Sequence, residues 1–462
     1  MSAAATVADP APAEDEGYER GLKNRQIQMI AIGGAIGTGL FFGAGTAITK
    51  AGPSLIAAYL VAGVAIFFVM RALGELLMYR PVAGSFADYA REFLGPFAGF
   101  ATGWTYWITW VVTGMAELTA AGKYVAYWID IPQWVTALVV LLVLFGANLI
   151  SVKVFGEAEF WFSMIKVTAI IGMILLGLGV LIFGFSDAGD TASVAHLWDD
   201  GGFAPHGIWQ TLLVLQVVMF AYVGVELIGV TASEAEDPKT MLPRAINTVP
   251  WRIGLFYIGS LVVILAMVEW RRFEPNTSPF VLAFDQVGIG AAAGIVNFIL
   301  LTAALSSCNS GLYSTGRMIR SLSLSQQAPR ALSRLSRRHV PAGGIALSVA
   351  VMAIGVIVNA LVPAKAFTYI TSVATVGILW VWGIILVSHW RYRRAVDVGR
   401  LPRSSFRMPG APWTGLVSLA FLVFVLVLLG FDADNRVALY VAPAWALALL
   451  VGYRWTTARV AT

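Results

Sequence analysis

The sequence has little cysteine, histidine or charge, and each shortage narrows the range of possible functions. Its one cysteine, Cys308, excludes a disulfide within the chain and any cysteine-rich metal or redox centre. The four histidines lack the spacing of metal ligands, so we expect no metal and no other cofactor. The formal net charge of +5 is distributed over short loops between apolar runs, and we therefore do not expect nucleic acid as a partner.

Apolar runs dominate the sequence, since 58% of the residues are hydrophobic and only 12% are charged. Many runs reach the length of about 20 residues that a helix needs to cross a bilayer. The pattern predicts an all-α polytopic membrane protein with twelve transmembrane helices. The predicted spans, numbered in chain order, are 27–48, 53–78, 97–127, 133–152, 158–183, 208–233, 251–270, 290–316, 342–362, 366–388, 413–431 and 437–455.

The remaining segments are short. Residues 1–20 lack a basic start followed by a short apolar core, so we expect a disordered cytoplasmic tail and no cleavable signal peptide. Residues 21–462 then form one transmembrane domain, and 79–95 is a candidate for a short amphipathic helix at the membrane surface.

Successive loops alternate between many and few lysine and arginine residues, as expected when the number of membrane crossings is right. Of the 31 basic residues, 24 fall on the side of the N-terminus, and Lys123 and Lys166 lie within spans. The five on the opposite side are Lys50, Arg271, Arg272, Lys365 and Arg436. This asymmetry predicts that both termini are cytoplasmic.

The first span contains the stretch "GGAIGTGLFFGAG", residues 33–45, in which six of thirteen residues are glycine. Glycine in a helix interior costs about 0.5–1 kcal/mol relative to alanine, so the helix is expected to break there. The sixth span is interrupted in a similar way in "FAYVGVELIGVTASEAEDP", residues 220–238. Two interrupted spans five helices apart are typical of an inverted repeat with a substrate site near the bilayer midplane.

The two breaks together suit a zwitterionic ligand. Free N–H groups around Gly37, Thr38 and Gly39 would bind a carboxylate, and free carbonyl groups near Phe220 and Val223 would accept hydrogen bonds from an ammonium group. The alternative is that these glycines only allow close helix packing. The candidate binding residues at the breaks are Ile36, Gly37, Thr38, Gly39, Phe220, Val223, Gly224 and Glu226.

Among the charged residues of the predicted spans we single out four, because an ion within a membrane is costly unless it faces a partner or water. Glu226 and Glu117 are candidate functional carboxylates, with a satisfied core carboxylate as the alternative. Lys123 lies near the end of its span, where snorkelling explains it. Lys166 has apolar neighbours on both sides and is a candidate proton-carrying group, although snorkelling is open for it too.

The eighth span carries the polar stretch "SSCNSGLYSTGR", residues 306–317, for which helix-to-helix hydrogen bonding is the competing explanation. We expect Asn309 in this stretch and Ser372 in the tenth span to join Glu117 in a pocket for the substrate side chain.

The chain resembles the bacterial amino-acid permeases of the amino acid, polyamine and organocation transporter superfamily. The resemblance rests on the first break, on "AGP" at 51–53 leading to "GELLMYRP" at 74–81, and on "EAEDPKTMLPRAINTVPWRIGLFY" at 234–257, and it extends from about residue 17 to the C-terminus. Within the family, "LTAALSSCNSGLYSTGRMIRSL" and "FRMPGAP" resemble the asparagine-transporting members.

The resemblance implies a fold and a set of roles. The first ten helices would form a five-plus-five inverted repeat, with repeat one at about 27–183, repeat two at about 208–388, and helices 11 and 12 at about 413–455. It implies that Phe220 forms an aromatic gate and that Val223 offers the carbonyl facing the amine. It also implies that Lys166 occupies the place of a sodium ion in proton-coupled relatives. Glu117 departs from the aspartate expected in asparagine permeases and matches permeases for aromatic amino acids and 4-aminobutyrate.

The expected function is import of L-asparagine across the plasma (inner) membrane by proton symport. Alternative cargoes are glycine, D-alanine, proline, an aromatic amino acid or aspartate. An intramembrane enzyme would need a nucleophile and base or metal ligands at membrane depth, and the sequence offers no such set. An amino-acid sensor would keep the two breaks but would not need Lys166.

The charge asymmetry leads to a topology prediction. Alkaline phosphatase, which is active only outside the cytoplasm, should be inactive when fused after Thr462 and active when fused after Asp130, because these positions lie on opposite sides of the membrane. Phosphatase activity measured in cells checks both fusions. An active enzyme after Thr462 would show that the number of crossings is wrong.

Overall fold

The computed structural model describes residues 25, 29, 36–82, 84–150, 152–184, 192–232, 237–285 and 291–460. Within these residues every regular element is helical, and no strand occurs. The predicted tail at 1–20 and the glycines at 33 and 34 lie outside the described residues.

The helices of the N-terminal half follow the predicted apolar runs closely. The first and sixth predicted spans are each divided into shorter pieces. The helices are α1 Thr38–Phe41, α2 Gly43–Ala51, α3 Leu55–Tyr79, α4 Ser85–Leu94, α5 Pro96–Val125, α6 Gln133–Asn148, α7 Val152–Phe183, α8 Gly207–Leu213, α9 Leu215–Ala221 and α10 Leu227–Thr231.

The C-terminal half contains longer uninterrupted helices. Its helices are α11 Pro238–Asn247, α12 Val249–Arg252, α13 Ser260–Met267, α14 Pro279–Asp285, α15 Ala292–Leu324, α16 Ala342–Leu361, α17 Ala366–Asp397, α18 Trp413–Leu428 and α19 Val437–Val460. A π-helical segment, Ile253–Gly259, joins α12 to α13.

Eight helical segments of the described chain are long and apolar enough to cross a membrane, and the chain is therefore a multi-pass membrane protein. Two shorter apolar helical segments, Gln133–Asn148 and Gly207–Ala221, accompany them. The count of twelve crossings stays a prediction.

The centre of the bundle is α5, which packs against α4, α6, α15, α16 and α17. Small residues on α5 allow these close approaches, since an ideal Cβ at Gly114 would lie 2.5 Å from Met352 Cε on α16. By contrast, α19 is mostly exposed, as expected for a helix at the lipid-facing edge.

The amphipathic segment predicted at 79–95 contains α4. Its apolar face is buried, with Phe86 and Tyr89 fully covered, and it packs on α5 and α17. This helix therefore packs as part of the bundle, and its place at the membrane surface stays a prediction.

Candidate functional site

The first break lies immediately before α1. Gly37 has extended backbone dihedrals, and α1 begins at Thr38. The chain then continues with little interruption, because Phe42 N–H donates to the Thr38 carbonyl at 2.8 Å and α2 follows at Gly43. The first N–H groups of a helix have no partner within the helix, and they carry its positive dipole end. Thr38 adds a fully buried hydroxyl that lies beside the Glu117 carboxylate.

The second break separates α9 from α10 over residues 222–226. Gly224 has a φ of 103°, a left-handed conformation that glycine adopts without strain. The Glu226 carboxylate folds back on this turn: one oxygen accepts from the Gly224 N–H at 3.1 Å, and the other accepts from Trp110 Nε1 at 3.2 Å. Glu226 is fully buried, so these two bonds hold the break open and compensate a charge within the protein.

The two breaks touch each other through backbone atoms. An ideal Cβ at Gly39 would lie 2.5 Å from Ala221 Cα and 2.9 Å from Ala221 N. The Ala221 carbonyl accepts a hydrogen bond from the Tyr257 hydroxyl at 3.1 Å, which fixes the end of α9. Tyr257 lies in the π-helical segment, an irregularity that is frequent at functional sites. The close backbone contact therefore requires glycine at position 39. Both explanations given above, close helix packing and ligand binding, are consistent with this requirement.

Aromatic rings line the α9 side of the meeting point. Phe220 is 3% exposed and packs edge-on against Phe367 of α17, with ring centroids 6.2 Å apart. Phe367 also packs against Phe42, at 4.8 Å between centroids. Three rings from α9, α17 and the α1–α2 junction thus form one buried apolar cluster.

Glu117 of α5 and Ser307 of α15 approach the first break. An ideal Cβ at Gly37 would lie 2.8 Å from Glu117 Oε1 and 3.2 Å from Ser307 Oγ. Glu117 is 2% exposed, and Thr38 lies beside its carboxylate. Ser307 is absent from the residues predicted above, although it lies within the polar stretch of the eighth span that pointed to Asn309.

Lys166 of α7 also reaches the first break. Its ammonium group donates a hydrogen bond to the Ile36 carbonyl oxygen at 3.4 Å. The same nitrogen lies 3.9 Å from Glu159 Oε1 and forms an ion pair with it. Glu159 also accepts from the Ser306 hydroxyl at 2.6 Å, and both charged side chains are fully buried. Full burial rules out snorkelling for Lys166, whereas Lys123 is exposed, as predicted.

Glu159 was missed in the sequence because the fifth span was predicted to begin at residue 158. The helix begins at Val152, so Glu159 lies two turns inside it. Its spacing of seven residues from Lys166 places both side chains on one face, which is the signal that could have revealed the pair.

Asn309 and Ser372 form hydrogen bonds away from the breaks. Asn148 Nδ2 of α6 donates to Asn309 Oδ1 at 2.7 Å, and Ser372 Oγ donates to the carbonyl of Tyr369 in its own helix. The side chains that these contacts bring to the first break are those of Glu117, Ser307 and Lys166.

A multi-pass helical protein in which two interrupted segments meet beside buried charges has the architecture of a secondary transporter. The sequence model of the amino acid permease family matches residues 26–460. The chain therefore belongs to the amino acid permease family, and the resemblance deduced from its motifs is confirmed.

Individual relatives agree with this assignment. The chain is 46% identical to the L-asparagine permease of Streptomyces coelicolor over 461 residues, which cover 99% of this chain and 94% of that one. It is 45% identical to the L-asparagine permease of Escherichia coli, over 97% and 91% of the two chains. It is also 47% identical to the D-serine/D-alanine/glycine transporter of Escherichia coli, over 96% and 95%. These relatives are transporters and not enzymes.

The contact between the breaks predicts the effect of a single methyl group. Gly39→Ala should weaken substrate binding by about tenfold or more, because overpacking typically costs about 1–3 kcal/mol and the atoms in the way belong to the Ala221 backbone. Gly172→Ala in α7 is the matched control, since a Cβ there meets nothing within 4 Å. Binding of labelled amino acid to purified protein gives the comparison. Parent-like affinity in Gly39→Ala would show that the two breaks need not touch.

Proposed function

We propose that the protein imports L-asparagine across the plasma membrane by proton symport with alternating access. The observation that carries the proposal is the meeting of the two breaks at Gly39 and Ala221, with Thr38, Glu117 and Ser307 around the start of α1. The site would then combine backbone N–H donors from one break with backbone carbonyl acceptors from the other within one buried volume.

In this proposal the substrate carboxylate binds the N–H groups at Gly37, Thr38 and Gly39. The dipole at the start of the α1–α2 segment favours an anion, and the buried Thr38 hydroxyl would supply a further donor. The substrate ammonium group binds carbonyl oxygens of Phe220 and Val223 at the end of α9. Phe220 and Phe367 then cover the bound amino acid from one side.

The choice of asparagine rests on two permeases of that name at 45–46% identity over nearly the full chain. A D-serine/D-alanine/glycine transporter at 47% identity makes a small neutral amino acid the second candidate. Both cargoes share the zwitterionic backbone and differ in the side-chain pocket, for which Glu117, Asn309 and Ser372 are our candidates. An ionised Glu117 facing this pocket would repel an acidic side chain.

We place both termini in the cytoplasm and divide the chain into repeat one at 27–183, repeat two at 208–388 and helices 11 and 12 at 413–455. Support comes from the distribution of basic residues and from the positions of the two interrupted segments, five predicted spans apart. Alternating access would then be movement of one repeat against the other around the site.

Proton coupling is assigned to Lys166. Its ammonium group donates to the Ile36 carbonyl at the first break and lies close to two buried carboxylates, Glu159 and Glu117. Loss of the proton would remove a positive charge and one donor from the break, so protonation and the geometry of the substrate site would change together. A sensor that does not transport would gain nothing from such a group.

Lys166→Ala should separate substrate exchange from proton coupling. In proteoliposomes, labelled asparagine should still exchange with internal asparagine, but an inward proton gradient should no longer drive accumulation above the external concentration. Lys123→Ala, which removes an exposed lysine from α5, is the control and should accumulate substrate like the parent. Unaltered gradient-driven accumulation in Lys166→Ala would contradict the coupling role, and exchange without any gradient effect in the parent would contradict symport.

Glu117→Gln should change the selectivity of the pocket. Juxtaposed like charges cost several kcal/mol, and only aspartate brings a second carboxylate. Removing the Glu117 charge should therefore narrow the gap between aspartate and asparagine by about tenfold or more, chiefly by improving competition by aspartate. Inhibition of labelled asparagine uptake by unlabelled asparagine, aspartate, glycine and phenylalanine measures this, with exposed Glu269→Gln as the control. A parent inhibited best by glycine would favour the second candidate cargo, and one inhibited best by aspartate or phenylalanine would overturn asparagine.

A further inference from the structure

A cavity lies between the C-terminal half of α17 and the start of α18, lined by none of the residues of the two breaks. Its volume is about 180 Å³, and its walls are mostly apolar, including Leu386, Gly415, Leu416 and Leu419. Leu416 is 43% exposed, so the cavity opens to the surface of the helix bundle. Trp390, His389 and Arg393 line its other end.

Two of the polar residues of the cavity are already engaged. The Glu75 carboxylate of α3 accepts from Arg393 at 3.0 Å and from the Met408 N–H at 2.7 Å, and His389 Nε2 lies 2.9 Å from it. This buried cluster joins α3, α17 and the segment before α18. His389 and Arg393 line the cavity, but both are paired with Glu75.

Two other arginines lie beside Trp390, one of the residues that line the cavity. The guanidinium carbon of Arg394 lies 4.7 Å from the centre of the Trp390 ring, and that of Arg391 lies 5.7 Å from it. Both arginines are exposed, and within the described part of the chain neither has a carboxylate at ion-pair distance. Asp397, on the same helix, pairs with Arg403 at 3.8 Å.

The position of the tryptophans sets the depth of the Trp390 end of the cavity. Trp390 is near the end of α17, and Trp413, 73% exposed, begins α18. Tryptophan is enriched at the level of the lipid headgroups, and basic pockets between membrane helices bind anionic headgroups. The arginines therefore lie at phosphate depth, and the apolar walls lie deeper.

We propose that this cavity binds one anionic phospholipid, with the phosphate held by Arg391 and Arg394 and the upper part of one acyl chain seated along Leu386, Gly415 and Leu419. The charge beside Trp390 matches the phosphate, and the apolar walls match the chain. A cavity of about 180 Å³ takes part of one chain and leaves the rest in the bilayer. Free phosphate would gain nothing from these walls.

Native mass spectrometry of the full-length protein in neutral detergent tests the site. The protein is titrated with phosphatidylglycerol or with phosphatidylcholine of the same acyl chains, and the retained lipid is counted. We expect one phosphatidylglycerol to be retained in preference to phosphatidylcholine, and millimolar inorganic phosphate should not displace it. Arg391→Gln with Arg394→Gln should weaken its retention by about 30-fold, since each basic residue near a membrane surface contributes about a factor of five to six.

Two further variants separate the charge from the cavity. Arg337→Gln with Arg338→Gln removes the same charge from another exposed loop and should leave retention unchanged. Gly415→Leu fills the cavity without altering charge and should weaken retention. The nearest atom to an ideal Cβ at this position, Met408 Cε, is 3.8 Å away, so we expect the variant to fold.

The remaining outcomes would overturn the proposal. Equal retention of the two lipids would exclude charge recognition, and equal loss in both double variants would reduce the effect to overall charge. Parent-like retention in Gly415→Leu would exclude the cavity as the seat of the chain. Displacement by inorganic phosphate would identify a free-phosphate site in place of a lipid site.

Discussion

A helix interrupted inside a bilayer must find new partners for the backbone groups that the interruption releases, because lipid offers none. The structure meets this constraint with three buried side chains from three different elements. Glu226 accepts from the Gly224 N–H, the Tyr257 hydroxyl donates to the Ala221 carbonyl, and the Lys166 ammonium donates to the Ile36 carbonyl. These side chains thus maintain the breaks, and we assign the N–H groups at the start of α1 to the substrate.

The same constraint explains why charges are buried so deeply. An ion inside a membrane protein persists when it has partners, and here the partners are the breaks themselves or other charges. Lys166 connects the first break to Glu159, which is held in turn by Ser306 of α15. Glu117 and Ser307 approach that break from α5 and α15. Under the proposed mechanism, a change of proton or of substrate at this point would act on three helices at once, as alternating access would require.

Features carried by neighbouring residues could be predicted from the sequence, and features produced by long-range packing could not. Glycine clusters and lone charges in apolar runs are local, so Gly37, Gly39, Gly224, Lys166 and Glu226 stood out before the fold was known. Ser307, Glu159 and Tyr257 did not, because their importance depends on which helix faces which break. The seventh run, predicted at 251–270, belongs to a helical segment at Pro238–Met267. The first part of this segment is amphipathic, so a search for apolar runs does not detect it. Proline at its first helical position is a signal that could have indicated where the helix starts.

The central claim is that backbone groups of two breaks recognise the two charges of an amino acid. Calorimetric binding of L-asparagine, its carboxyl amide and its N-acetyl derivative to the purified protein tests this most directly. Hydrogen bonds to charged groups contribute about 1.5–3 kcal/mol, so each analogue should bind about tenfold or more weakly than asparagine. Equal binding of asparagine and either analogue would contradict the account, because one of the two breaks would then play no part in recognition.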